Sequence, residues 1–279
     1  MDDGLEKAIF DGLINVVYSL KLPRLRDAYI LEIWARKRAA ARNPLLRSGK
    51  KYFSQNDEDG ILLEICRRTG LKNGTFVEIG VGNGLENNTL ILLMSGWQGV
   101  WLGAEQLAFK VPDEGPLLFQ ESWITRENCC ALVSHGVAAL GKQRAEILSV
   151  DLDGNDLYVI EALLAGGIAP DIVVAEYNAK FPPPIRWAVP YDPNHKWDGT
   201  DYFGASLQSL LDVLGPRGYR LVCCNITGVN AFFVKQEHAA AFADVPAEAA
   251  ELFEEADYNW FVQAGHPPSP RTIESFLTK

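Results

Sequence analysis

The chain reads as an α/β protein built on a mostly parallel, seven-stranded sheet with one antiparallel strand from a C-terminal hairpin. Three observations carry that reading. From Ser54 onward, short β-rich apolar runs alternate with helical patterns, as in a parallel sheet covered by helices on both faces. The acidic clusters fall at the carboxyl ends of those runs, where open α/β sheets bind their ligands. The last two runs, 219–223 and 230–234, flank the turn Asn225-Ile226-Thr227-Gly228, a hairpin signal.

The elements follow in order. Leu5, Ala8, Ile9, Leu13, Val16, Val17 and Leu20 recur at helical spacing. Pro23 ends that helix, and a second spans 24–41 and stops before Asn43-Pro44. With the linker Ser48-Gly49-Lys50 they make residues 1–50 an N-terminal helical extension. Ser54 is expected to N-cap the next helix, with Asp57 at the capping-box position and Ile61, Leu62, Ile65 and Cys66 on its apolar face. Strands are expected at 75–79, 99–104, 117–119, 145–150 and 171–175, and helices at 87–95, 126–140 and 157–165. Residues 181–203 are rich in proline and aromatics and have no period, so they form a long loop of the kind that often carries function. A helix at 205–214 leads into the hairpin. The domain therefore spans 51–238, and residues 239–279 form a helical tail packed on it, with helices at 246–256 and after Pro268-Ser269-Pro270.

Composition excludes several classes. The net charge of −10 argues against general nucleic-acid binding. No apolar run approaches the ~20 residues of a membrane span, and Asp2 and Asp3 stand where a signal peptide would be basic. The five cysteines are odd in number, include two adjacent pairs and match no zinc spacing. They suit reduced thiols in a cytoplasmic protein. Between Lys21 and Lys51, ten basic residues face only two acids, Asp27 and Glu32. This segment complements the acidic remainder or a neighbouring subunit, or else it meets an anionic substrate or membrane surface. The amphipathic pattern at 5–20 makes a homodimer a natural expectation.

The most telling stretch is Glu78-Ile79-Gly80-Val81-Gly82-Asn83-Gly84 at the end of the first strand. Glycines there let the backbone take φ > 0 and approach a ligand closely. The spacing is E-x-G-x-G-x-G, not G-x-G-x-x-G. No lysine or hydroxyl follows, and Glu86 would repel a pyrophosphate at the helix start. The turn suits a ligand without phosphates, and Glu78 can attract a cation or accept hydrogen bonds. S-adenosylmethionine, with its ammonium, sulfonium and ribose hydroxyls, is such a ligand. The alternative is a glycine-rich turn with no ligand.

Over about 54–235 the layout resembles the class I S-adenosylmethionine-dependent methyltransferases, a Rossmann-like sandwich. The resemblance rests on Val77 to Gly84, the acid closing the second strand, and the final hairpin. Ser54-Gln55-Asn56-Asp57-Glu58-Asp59 is similar to the S-Q-x-x-E-D element of FkbM-like methyltransferases of glycans and natural products. The resemblance implies that Glu78, Gly80, Gly82 and Asn83 line the methionine and ribose portions of the cofactor. It implies that Glu105 takes the ribose hydroxyls, Glu121 or Ser122 meets the adenine edge, and Gln55 covers the cofactor.

Asp151 and Asp153 close the fourth strand, and Glu176 and Asn178 the fifth. Neighbouring parallel strands lie about 4.8 Å apart, so these groups should converge. They are hard oxygen donors, suited to Mg²⁺ or Ca²⁺. The placement is similar to metal-dependent O-methyltransferases of the catechol type, although Tyr177 separates the second pair. Position six of the Asp151 run is Asp156 and position twelve Ala162, which excludes an EF-hand. Without a metal, Asp151 and Asp153 would cap the following helix, Glu176 would hydrogen-bond substrate, and Asp151 would contact the cofactor ammonium.

His195 in the long loop is the candidate general base, with a plain surface histidine as the alternative, and Asp153 is the second catalytic candidate. Asp198, Asp201 and Tyr202 suit sugar hydroxyls, and Trp187 or Trp197 a ring. The expected function is O-methylation of a hydroxylated small molecule, sugar or other glycan, or natural product. The alternatives are N-methylation, a non-methylating metal-dependent (hydroxylase-like) enzyme on the same fold, and a cofactor-free interaction module.

Overall fold

The computed structural model describes residues 3–257 and 269–278. The chain runs α1 (Asp3–Ala40), α2 (Pro44–Arg47), α3 (Glu58–Thr69), β1 (Thr75–Ile79), α4 (Leu90–Met94), β2 (Gln98–Gly103), β3 (Leu117–Glu121) and α5 (Cys129–Ala139). It continues through β4 (Ile147–Val150), α6 (Asp156–Ala165), β5 (Ile172–Glu176), α7 (Leu207–Leu214), β6 (Tyr219–Cys224), β7 (Asn230–Lys235), α8 (Ala249–Leu252) and α9 (Pro270–Leu277). The seven strands form one sheet in the order β3-β2-β1-β4-β5-β7-β6. β7 is antiparallel to both its neighbours, and every other pairing is parallel.

The strand order explains where a ligand can sit. From β1 the chain moves outward through β2 to β3, and from β4 it moves the other way to β5. Right-handed crossovers therefore put α4 on one face and α6 on the other. The crossovers diverge between β1 and β4, and a crevice opens at the carboxyl ends of those two strands. β1, β4 and β5 are buried along their whole length, as strands covered on both faces must be.

Three local expectations are corrected. The N-terminal helix does not stop at Pro23: α1 runs unbroken through it, since one proline forfeits one backbone hydrogen bond and the flanking turns keep theirs. The third helix starts at Glu58, and Asp57 makes no side-chain cap. Asp57 instead binds Arg38 at 3.0 Å and accepts from the Ile226 amide, while Ser54 Oγ accepts from the Asp59 amide at 3.3 Å. The expected tail helix at 246–256 shrinks to α8, preceded by a 3₁₀ stretch, Gln236–Phe242.

The basic segment meets the acidic body. Lys37 pairs with Glu254 at 2.7 Å, Arg42 with Glu251 at 3.3 Å, and Lys51 lies 3.9 Å from Glu86. Ile30 and Trp34 are buried where the last turns of α1 reach the body. The five cysteines are free thiols. Among the described residues no helix is long and apolar enough to cross a membrane.

Candidate functional site

The crevice between β1 and β4 is held open by one glycine. Gly80 has φ +90°, and a Cβ there would sit 1.5 Å from the Asp151 carbonyl oxygen. Its amide donates to Leu102 O at 2.8 Å, and the Asp151 amide donates to Ile79 O at 3.0 Å. Only glycine permits this approach of two strand ends.

Glu78 turns out to be the anchor of the loop that follows. Its carboxylate is buried and accepts from the amides of Asn88 (2.9 Å) and Thr89 (3.0 Å) and from the Thr89 hydroxyl. Trp101 Nε1 donates to that hydroxyl at 2.9 Å, and Asn88 Nδ2 to Ser149 Oγ at 3.2 Å. Trp101 and Ser149 are the register partners of Glu78 on β2 and β4. Neighbouring strands thus clamp the start of α4, whose cap residue, Thr89, turns its hydroxyl to Glu78 and Trp101 and makes no side-chain bond to its own helix. Burial pushes the Glu78 carboxyl upward, against the pull of these donors.

Two adjoining cavities occupy the crevice and share Gly80, Gly82, Glu105 and Asp151. One, of about 290 Å³, is lined also by Gln55, Glu78, Asn83, Asn87 and Asn230. The other, of about 170 Å³, is lined also by Trp123, Ile124, Leu152, Asp153, Asn155 and His195. Gln55, Asn83 and Glu105 are exposed at the mouth. Neither Glu121 nor Ser122 lines either cavity. Glu121 closes β3 and lines a separate cavity at that edge of the sheet, and Ser122 Oγ donates to the Trp123 carbonyl at 3.4 Å. Trp123 and Ile124, immediately after them, supply the wall instead.

On the far side Asp151, Asp153 and Glu176 bring one carboxylate oxygen each within 4.8 Å of one another. Burial and then the neighbouring carboxylates push Asp151 and Glu176 well above the ordinary range. Asp153, the exposed member, is also raised by burial, while His195 opposes the shift. Its backbone lies at φ +53°, uncommon for a residue with a side chain. Asp156 organises the turn, accepting from the Leu152 amide at 2.7 Å and the Gly154 amide at 3.0 Å. Burial lifts it to about 6.

Asn178 is not brought into this cluster's hydrogen bonding. Its Nδ2 donates to the carbonyls of Asp201 and Phe203, at 2.9 and 3.0 Å, and its Oδ1 accepts from the Lys180 amide. It anchors the long loop. That loop returns His195 to the cavity, where the ring packs on Gly154: a Cβ at position 154 would lie 2.2 Å from His195 Cδ2. Asn155 Nδ2 donates to Asp192 O at 2.7 Å, and Trp123 Nε1 to Pro193 O at 2.6 Å. Asp198 is bound to Thr200, Asp201 pairs with Lys180, and Trp187 stacks on Phe181. Trp197 and Tyr202 are exposed.

Several buried polar atoms at the crevice have no protein partner: Asn87 Oδ1, Asn155 Oδ1, Asn230 Oδ1, Glu176 Oε2 and His195 Nε2. A buried acceptor without a donor costs about 1–3 kcal/mol, so their convergence marks a place for a donor-rich ligand. Sequence reasoning missed Trp123, Asn87, Asn155 and Asn230. Only Asn155 carried a signal, as a polar residue inside the acidic run.

No family model matches the chain, and no curated protein matches it. Three solved structures are similar at low level. The methyltransferase CalO1 of calicheamicin biosynthesis, in its SAH-bound form, matches over 80% of this chain and 60% of its own, with 15% identity and a TM-score of 0.34. An O-methyltransferase family protein from Burkholderia thailandensis matches over 74% and 70%, with 11% identity and a TM-score of 0.35. An O-methyltransferase family 2 protein from Planctomyces limnophilus, in complex with apigenin, matches over 75% and 61%, with 9% identity and a TM-score of 0.30. The chain thus spans about three fifths of the first and third of these. Such distant likenesses leave the chemistry to the residues of the crevice.

Proposed function

We propose that the chain is an S-adenosylmethionine-dependent methyltransferase, FkbM-like in its Ser54–Asp59 element, that O-methylates a hydroxylated small molecule, sugar or natural product. The observation that carries this reading is the pair of adjoining cavities at the β1–β4 crevice, which share Gly80, Gly82, Glu105 and Asp151. Their lining holds no lysine or arginine and is rich in acceptors, which suits a cationic cofactor with ribose hydroxyls. The five free thiols fit a cytoplasmic protein.

When bound, the cofactor supplies an electrophilic methyl group. Gly80, Gly82 and Asn83 would hold its amino-acid and ribose portions, Glu105 would accept from the two ribose hydroxyls, and Gln55 would cover it. Trp123 and Ile124 offer a flat apolar wall for the adenine in place of Glu121 and Ser122. His195 Nε2, without a protein partner, would accept the proton of the substrate hydroxyl, with the Asp153 carboxylate stabilising the imidazolium.

Mg²⁺ or Ca²⁺ fits the donor set: Asp151, Asp153 and Glu176 are hard donors already close together, and Glu176 Oε2 has no partner. These three would hold the ion, which would supply charge stabilisation for a substrate alkoxide. A second reading is favoured by the absence of lysine and arginine from both linings. There the carboxylates hold an amine, and the reaction is N-methylation.

Calorimetry with S-adenosylmethionine and S-adenosylhomocysteine, with and without Mg²⁺, tests the proposal. Binding of both is expected. Glu105→Ala should weaken it by about 1.5–3 kcal/mol, the worth of charge-assisted hydrogen bonds. Absence of binding to either compound ends the methyltransferase reading.

A further inference from the structure

The cavity of about 290 Å³ is lined by four carboxylates, Glu78, Glu86, Glu105 and Asp151, and by no lysine, arginine or histidine. Glu78 is engaged already. Its Oε1 accepts from the Asn88 amide, and its Oε2 from the Thr89 amide and hydroxyl. Two amide oxygens of the same wall are not engaged. Asn87 and Asn230 are 4% and 2% exposed, and Oδ1 of each has no protein partner.

Both amides are held by their nitrogen ends. Asn87 Nδ2 donates to Val81 O at 3.2 Å. Asn230 Nδ2 donates to Glu58 Oε1 at 3.2 Å, and Asn225 Nδ2 donates to the same oxygen at 2.8 Å. Turning the Asn230 amide over would set its oxygen against an oxygen of Glu58. Asn225 Oδ1 fixes the backbone at this point, accepting from the Asn230 amide at 2.9 Å. The wall therefore offers acceptors, and a ligand group there must donate.

The groups of the cofactor differ in what they can supply. Its carboxylate only accepts, and it would meet four acids. Its sulfonium has no N–H or O–H, and its ribose hydroxyls both donate and accept. Its α-ammonium only donates, and it carries the charge that the surrounding carboxylates favour. Resting on the methyltransferase reading, we propose that Asn87 and Asn230 seat the α-ammonium of the cofactor, in place of Glu78. They thereby make the chain selective for a ligand that carries that amine.

Calorimetry of the full chain tests this with S-adenosylhomocysteine and with the analogue in which hydrogen replaces its amino group. The wild type should bind S-adenosylhomocysteine about tenfold more tightly, the worth of one charge-assisted hydrogen bond. Asn230→Leu and Asn87→Leu should each cut that affinity about fivefold and leave the deaminated analogue within about twofold. Thermal unfolding checks that the variants fold. Asn87→Leu removes only a bond to a carbonyl, so it carries the comparison if Asn230→Leu does not fold. A wild type that binds both compounds equally overturns this inference alone. Binding of neither overturns the methyltransferase reading with it. Variants that weaken both compounds alike, or a preference lost in Asp151→Asn but kept in both asparagine variants, also overturn the inference.

Discussion

The two halves of the crevice are built differently. On the β1 side, Glu78 binds amides ten and eleven residues further along, and Gly80 fits against the end of the adjacent strand. The frame is made of backbone and short-range contacts. On the β4–β5 side, the acidic turn 151–156, the strand end at Glu176 and a loop residue at position 195 meet from distant parts of the chain. The first half is a rigid socket. The second is an assembly whose polar atoms include Glu176 Oε2, Asn155 Oδ1 and His195 Nε2, all without protein partners. Stability should therefore be concentrated in the first half, and chemistry in the second.

The largest expected effect breaks the socket. Gly80→Ala places a methyl on the Asp151 carbonyl and forces a positive φ on a residue with a Cβ. It should cost about 3 kcal/mol or more, read as a fall in unfolding temperature. A variant as stable as the parent would mean that the strand ends do not approach as described.

The second effect concerns pH. Burial raises Glu58 from 4.5 to about 7, and it accepts from Asn225 and Asn230. The folded protein keeps this proton to about pH 7, whereas the unfolded chain releases it near 4.5. Between those values the folded state binds more protons, so stability falls as pH rises through the window. The contribution is full below about 4.5 and lost above about 7, with about 3 kcal/mol as its ceiling. Urea unfolding across pH 4.5–8 should show the fall, and Glu58→Gln should flatten it.

Third, Glu78→Gln keeps the shape but removes the charge from bonds to Asn88 and Thr89. A loss of about 2 kcal/mol is expected, with a weaker affinity for S-adenosylhomocysteine as the loop loosens. The smallest effect on the socket sharpens the contrast from the other side. Asp153→Ala should leave cofactor affinity within about 0.5 kcal/mol while abolishing turnover. Loss of both by calorimetry and activity assay would move Asp153 into the cofactor half.

The contrast also explains what could be read in advance. β1 was legible to the residue, and the other strands within two residues of their ends, because a buried parallel strand is a contiguous apolar run. The glycine turn was legible because its spacing is a local pattern, although the contact that demands glycine at position 80, with the Asp151 carbonyl, comes from far along the chain. Pro23 misled because a helix of this length tolerates one lost bond, and Asp57 misled because Arg38 and Ile226, distant in the chain, compete for its carboxylate. Trp123 and Ile124 line the crevice and Glu121 and Ser122 do not, since β3 runs on to Glu121 before the chain turns toward the crevice. Asn178 was expected beside the carboxylates, but the loop carbonyls of Asp201 and Phe203 engage it.

By itself, the order of residues determined the α/β class, the seven strands and the turn at Gly80, because periodicity, glycine and strand-end acids are local properties of the chain. Only the tertiary structure decided that Glu78 anchors a loop, that Asp151, Asp153 and Glu176 meet within 4.8 Å, and that Asn155, Asn87 and Asn230 turn unpartnered oxygens to the crevice. Those facts depend on which strands become neighbours and on how a long loop folds back, and no local spacing encodes either.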